Sequence, residues 1–132
     1  MVLRTMSKPG RKSEKPAVST PRLSIRVDLG AGVRIGPGKI ALLEQIASSG
    51  SISGGGRALK MSYRRAWELV EEMNRSFGVA VVETAAGGVG GGGTRLTEAG
   101  REIVSRYRRL EADTAAATRE QVIGLLQICK LG

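Results

Sequence analysis

The stretch that most narrows the choice of fold is SISGGGRALKMSYRRAWELVEEMNRSF, residues 51–77. Its second part, Ser62–Phe77, has a helical period. Tyr63, Ala66, Trp67, Leu69, Val70, Met73 and Phe77 fall on one face, and Arg64, Arg65, Glu68, Glu71, Glu72 and Arg75 on the other. Ser62 suits an N-cap, and Met61 and Ala66 stand where a hydrophobic staple would close. Upstream, SISGGGRALKMS reads as a short helix at about Ser53–Leu59 followed by a three-residue turn. A short helix, a tight turn and a longer helix with a basic first turn make the helix-turn-helix pattern, with Ser62–Phe77 as its recognition helix. An ordinary antiparallel helical hairpin satisfies the same apolar pattern. The charge order favours DNA: Arg64 and Arg65 stand at the end that enters a groove, and Glu71 and Glu72 come two turns later, away from phosphate.

Composition agrees with a polyanionic partner. The 132 residues suffice for one domain with a core plus extra segments. They carry 21 Lys and Arg against 12 Asp and Glu, a formal charge of +9. A tail supplies much of it, with Arg4, Lys8, Arg11, Lys12, Lys15 and Arg22 against Glu14. One cysteine and no histidine exclude a disulfide framework within the chain, the usual zinc-ligand sets and every catalytic scheme that needs His. No grouping of Asp, Glu, Lys or Tyr suggests a general base, so an enzyme is not expected. Cys129, in the apolar run VIGLLQICKL, is expected to be buried. No stretch approaches 18 apolar residues and the N-terminus lacks a hydrophobic signal core, so the expected location is the cytoplasm, without a membrane.

The rest divides around the central helices. Residues 1–21 form a basic tail expected to be disordered, either a solvated leader or an arm adding phosphate contacts. Residues 22–97 form the DNA-binding domain, and residues 98–132 one or two C-terminal dimerisation helices. Leu23–Leu29 alternates as a half-buried strand. Gly36–Ser48 is a supporting helix with an apolar stripe of Ile40, Leu43, Ile46 and Ala47. Gly54, Gly55 and Gly56 lie in the short helix, where glycine costs roughly 0.8–1 kcal/mol relative to alanine. Either the backbone there approaches something closely, or a weak helix is tolerated. Val79–Thr84 and Thr94–Leu96 read as two strands of a wing. Thr97 caps a long terminal helix with a near-heptad seam from Ile103 through Tyr107, Leu110, Thr114, Ala117, Gln121 and Gly124 to Ile128. Thr118-x-x-Gln121 is a capping box at which that helix would break, near residues 112–118.

Six of the seven residues at 87–93 are glycine. Gly88-x-Gly90-x-x-Gly93 formally matches a dinucleotide fingerprint, but a strand follows instead of a helix and no βαβ unit surrounds it. The spacing of Gly88 and Gly93 also imitates a P-loop, with Thr94 where Lys is required. The loop is then either a hairpin tip needing positive φ, or a wing whose bare amides approach phosphate beside Arg95. The helix-turn-helix before it favours the wing.

GSIS…RALKMSYRRAWELVEEMN, then VVET, the loop GGVGGGGTRLTEAG and the terminal helix resemble the N-terminal domain of ModE-type molybdate-responsive regulators. The same architecture is similar to the LysR-type DNA-binding domain. The match covers about residues 22–112, and Gly54–Gly56 depart from the mostly alanine-like residues expected there. The resemblance implies a mainly α, winged helix-turn-helix protein with a small β-hairpin wing and a long C-terminal dimerisation helix, binding operator DNA as a homodimer. In that family molybdate binds separate C-terminal domains. With Gly132 last, the expectation is a regulator without them, with no cofactor and no molybdate site within this chain. The expected alternative is an architectural or heterodimerising modulator of a longer regulator. Ser62, Tyr63, Arg64 and Arg65 would meet the major groove of double-stranded DNA, although Tyr63 fits the core equally well. Ser51, Ser53, Arg57 and Lys60 would hold phosphates, and Gly90, Gly91, Gly92 and Gly93 with Arg95 would form the wing contact. Ile103, Tyr107, Leu110, Ala117 and Leu125 would line the dimer interface.

Overall fold

The computed structural model describes residues 20–85 and 93–129; the expectations for the basic tail and for Gly90, Gly91 and Gly92 lie outside them. The described chain begins with an antiparallel hairpin, β1 (Val27–Gly30) and β2 (Val33–Ile35), with Val27 opposite Ile35. This corrects the single strand expected over Leu23–Leu29. The alternation at Leu23, Ile25 and Val27 does set half-buried against exposed residues, but Leu29 is exposed. A bulge after Asp28 breaks the alternation, and the Asp28 carboxylate accepts the Gly30 N–H at 3.0 Å. Three residues of β2 are too few to show a period.

Helix α1 (Pro37–Ser49) starts on Pro37 and stops at Gly50, whose N–H bonds the Ile46 carbonyl. It buries Ile40, Leu42, Leu43 and Ile46. Ala47, expected in that stripe, is exposed, and Leu42 is buried instead. Helix α2 (Ile52–Ala58) lies across α1, and its glycines are the contact surface. A Cβ on Gly55 would stand 2.6 Å from Ile46 Cγ1 and 3.0 Å from the Ile46 nitrogen, and one on Gly56 would stand 2.9 Å from the Ala66 Cβ. Close backbone approach therefore accounts for these glycines, and the packing gained offsets their weak helix propensity.

Helix α3 (Tyr63–Phe77) begins where the Ser62 hydroxyl accepts the Arg65 N–H at 3.0 Å, and ends at Gly78 in the left-handed region. Ala66, Leu69, Val70 and Met73 are buried. Trp67, assigned to the same face, is 46% exposed, and Tyr63 is 57% exposed, which removes it from the core. The buried arc is narrower than the apolar pattern, and both rings lie beyond its edge.

Strands β3 (Val82–Ala85) and β4 (Gly93–Leu96) pair antiparallel as the wing, Val82 opposite Leu96. Side chains from both neighbouring helices fix the start of β3. Asn74 Oδ1 accepts the Val81 N–H at 2.8 Å. The Thr97 hydroxyl donates to the Ala80 carbonyl at 2.7 Å while accepting the Gly100 N–H at 3.0 Å. Thr97 thereby caps α4 (Glu98–Ala117) as expected and ties it to the wing.

Tyr107 on α4 is buried, and its hydroxyl donates to the Ile25 carbonyl. It fastens the segment leading into β1 to α4 within one chain, and its burial there leaves it little surface for the dimer interface expected of it. Beside it, Arg108 bonds Glu44 of α1 at 2.7 and 2.9 Å and Glu111 at 2.7 Å. The long helix breaks at Thr118, within the expected region, and α5 (Arg119–Cys129) follows. The Thr118 hydroxyl donates back to the Thr114 carbonyl at 2.8 Å, a use other than the acceptor role a capping box requires. Helix α5 buries nothing, and Cys129, expected inside, is exposed. The result is a mainly helical winged helix-turn-helix fold, its core lying between α1, α3, the wing and α4.

Candidate nucleic-acid interface

The outward turn of α3 follows from the way its inner face is fixed. With Ala66, Leu69 and Val70 held in the core, Tyr63, Arg64 and Arg65 face solvent at the N-terminal end, the Arg64 side chain 87% exposed. Glu68 sits one turn on, 3.3 Å from Arg64 Nε and 4.0 Å from Arg65. Exposed pairs of this kind contribute about 0–1 kcal/mol, so phosphate or a base edge competes easily for either arginine. Ser62 spends its acceptor on the helix cap. The two acids further along are set back. Glu71 is half-buried, and Glu72 pairs with Lys39 at 2.9 Å, a hydrogen bond that holds its carboxyl below the ordinary range.

The last turn of α2 and the turn before α3 supply one more cation each. Arg57 reaches the Ser53 hydroxyl at 3.1 Å, and Lys60 takes a positive φ of 61° with its N–H on the Arg57 carbonyl. At the opposite end of α2, the Ser51 hydroxyl accepts the Gly54 N–H at 2.8 Å. The loop-side end of β4 lies against this point, because the Thr94 N–H bonds the Gly50 carbonyl at 2.8 Å. A Cβ on Gly93 would stand 2.8 Å from that same oxygen. Arg95 points along the wing and pairs across it with Glu83 at 2.9 Å.

The expected site residues thus form two groups. Ser51, Ser53 and Gly93 gather at the start of α2 with Arg95 on the adjoining wing strand. Arg57, Lys60, Ser62, Tyr63, Arg64 and Arg65 gather around the turn and the start of α3, the Ser53–Arg57 hydrogen bond linking the two groups. Gly90, Gly91 and Gly92 lie outside the described residues. Of the residues expected at a dimer interface, Leu110, Ala117 and Leu125 are exposed, and Ile103 packs partly on its own core. Two further residues belong to this surface or position it. Trp67 belongs to the exposed surface, a fact that only the width of the buried arc reveals. Asn74 positions the wing, and an Asn in a last helical turn just before Gly78 was the available signal. Among the described residues no group of three His, Cys, Asp or Glu could hold a metal ion, and no helix is long and apolar enough to cross a membrane.

No family model matches the chain. Curated relatives do. The molybdenum-pterin-binding protein MopB of Rhodobacter capsulatus is 42% identical over 84 residues, 64% of this chain and 31% of that protein. The molybdenum transport protein ModE of Azotobacter vinelandii is 38% identical over 96 residues, 73% of this chain and 35% of that one. The DNA-binding transcriptional dual regulator ModE of Escherichia coli (strain K12) is 45% identical over 71 residues, 54% and 27% of the two chains. The chain spans about a third of the length of the curated relatives it matches. Among solved structures, the DNA-binding domain of CbnR in complex with DNA superposes with a TM-score of 0.51 at 20% identity, covering 65% of this chain and 94% of that one. Full-length LysG, a LysR-type regulator from Corynebacterium glutamicum, gives 0.51 at 25% identity, covering 70% and 29%. Both agree with the winged-helix fold.

Proposed function

We propose that this chain is a sequence-specific, DNA-binding transcriptional regulator of ModE type that works in the cytoplasm as a homodimer and catalyses nothing. The observation that carries the reading is the exposed basic turn of α3. Tyr63, Arg64 and Arg65 face solvent at the N-terminal end of a helix whose other face is fixed in the core, next to a wing anchored at the start of α2. Arginines so placed can take guanine O6 and N7 or phosphate, while Ser51, Ser53, Arg57 and Lys60 hold the backbone. Gly93 and Arg95 place the wing against the flanking sugar-phosphate wall.

Assembly is proposed through residues 98–132. Leu110, Leu125, Leu126 and Ile128 are exposed on α4 and α5, and a two-fold pair would cover them while setting two α3 helices about 34 Å apart. We further propose that the chain holds no molybdate site of its own. Oxyanion capture needs converging donors sheltered from water. Arg57, Lys60, Arg64, Arg65 and Arg95 stand exposed, and the more buried Lys39 and Arg108 are paired with carboxylates.

Selection of bound duplexes from a random pool tests the reading. The expected outcome is a two-fold symmetric sequence with half-sites one helical turn apart. Recovery of no preferred sequence would overturn it.

A further inference from the structure

Beside the arginines, the outward surface of α3 carries two large rings that its attachment to the core does not use. Trp67 is 46% exposed and Tyr63, one turn earlier, 57% exposed. They form one column along the helix, and Arg64 with Glu68, also four residues apart, forms the next. At 3.6 residues per turn, Tyr63, Trp67 and Asn74 lie within about 40° of one another around the axis. Asn74 binds the Val81 N–H at the start of the wing strand, so the aromatic column runs along the wing-side edge of α3. Glu72, bonded to Lys39, marks the opposite edge. A helix seated in a groove with its arginines on base edges would press this column against the neighbouring base pairs on the wing side.

We propose that Trp67, with Tyr63, reads the 5-methyl group of thymine in the major groove. This rests on the DNA-reading role proposed above for α3. Indole and phenol rings offer one polar hydrogen each and a broad apolar surface, so they are poorly matched to the donor and acceptor pattern of a base edge. The thymine methyl is the apolar feature that the major groove presents, and it alone separates thymine from uracil there. Leaving half an indole in water is unfavourable, and covering it with a methyl group releases that surface. The arginines then favour guanine or phosphate, and the ring column favours thymine at adjacent steps.

The test uses the duplex selected by the wild-type chain, with each thymine replaced singly by deoxyuridine, which removes only the methyl. Affinities are measured for wild type, Trp67→Ala, Trp67→Phe and Tyr63→Ala, each shown to be folded by circular dichroism. One or two thymines should lose about fourfold in wild-type affinity on demethylation, as burial of one methyl-sized group at about 0.8 kcal/mol implies. At those positions Trp67→Ala or Tyr63→Ala should respond less than twofold, and Trp67→Phe should keep part of the response. Should Trp67→Ala not fold, Trp67→Phe and Tyr63→Ala carry the same comparison. Equal demethylation effects in wild type and variants would overturn the inference while leaving DNA reading intact. A Trp67 variant that alters the sedimentation of the free chain without changing the thymine response would identify a protein contact, and also overturn it. Failure of the wild type to select any sequence would remove both readings.

Discussion

Asn74, Thr97 and Gly100 set the wing by single atoms. Asn74→Ala would leave the Val81 N–H without its 2.8 Å acceptor in a part-buried place, which costs about 1–3 kcal/mol. A urea midpoint lowered by that amount, with reduced DNA affinity, is the expected result. Gly100→Ala is a sharper case because two effects oppose each other. Helix propensity alone would favour alanine by about 0.8–1 kcal/mol, but the new Cβ would fall 2.2 Å from the Val81 carbonyl oxygen. That oxygen also accepts the Thr97 N–H, so it is not free to move. Net destabilisation in urea unfolding is expected, and a stabilised variant would mean that the wing is less tightly docked. Caps such as Ser62 and Thr97 were legible in the sequence because a hydroxyl before an apolar period has a local meaning. Gly55 and Gly56 were legible only as one of two alternatives, and Gly100 not at all, because their reason is a backbone or side chain many residues away.

The helices were readable as elements with their ends to within about a residue, and the width of their buried faces was not. Period alone drew the apolar face of α3 wide enough to include Trp67, whereas the core covers only the arc from Leu69 to Val70. The same ambiguity sent Tyr107 to a dimer seam, when its hydroxyl closes on Ile25 of its own chain. Beside it, the Arg108 hydrogen bond holds the Glu44 carboxyl below the ordinary range, as Lys39 does for Glu72. A carboxylate depressed in the folded chain adds stability above its unfolded pKa of about 4.3, and loses it as pH falls through the lower folded value. The Arg108 and Glu44 side chains are 40% and 37% exposed, so solvent screening keeps the contribution to about 1 kcal/mol or less. Arg108→Leu should therefore be less stable than wild type at pH 7, and the difference should shrink below about pH 4. Urea unfolding across that range checks the sign. On the outer side of α4, Leu110→Glu should convert the proposed dimer to monomer in sedimentation without unfolding it. A wild-type chain that is already monomeric at micromolar concentration would contradict the proposed assembly.

At the scale of the whole molecule, the fold combines a core-fixed helix α3 with an exposed basic first turn, a wing anchored to the start of α2, and a helix α5 with no buried residue. This division shows how the candidate site was partly legible from charge order. Arg64 and Arg65 precede Glu68, Glu71 and Glu72 along one helix, and in the structure that order gives a basic first turn followed by an acidic middle. Molybdate should leave DNA binding by this chain unchanged beyond ionic strength, and titration against sulfate at matched ionic strength checks this. The central claim is that the first turn of α3 reads DNA. Fluorescence anisotropy with the selected duplex and a scrambled one, over a range of salt, tests it in wild type, Arg64→Ala and Arg65→Ala. A base-reading arginine should lose about 1–3 kcal/mol on the selected duplex and far less on the scrambled one. A phosphate-binding arginine should weaken both and lower the salt slope by about one. Unchanged affinity of both variants for both duplexes, with the fold intact, would contradict the claim.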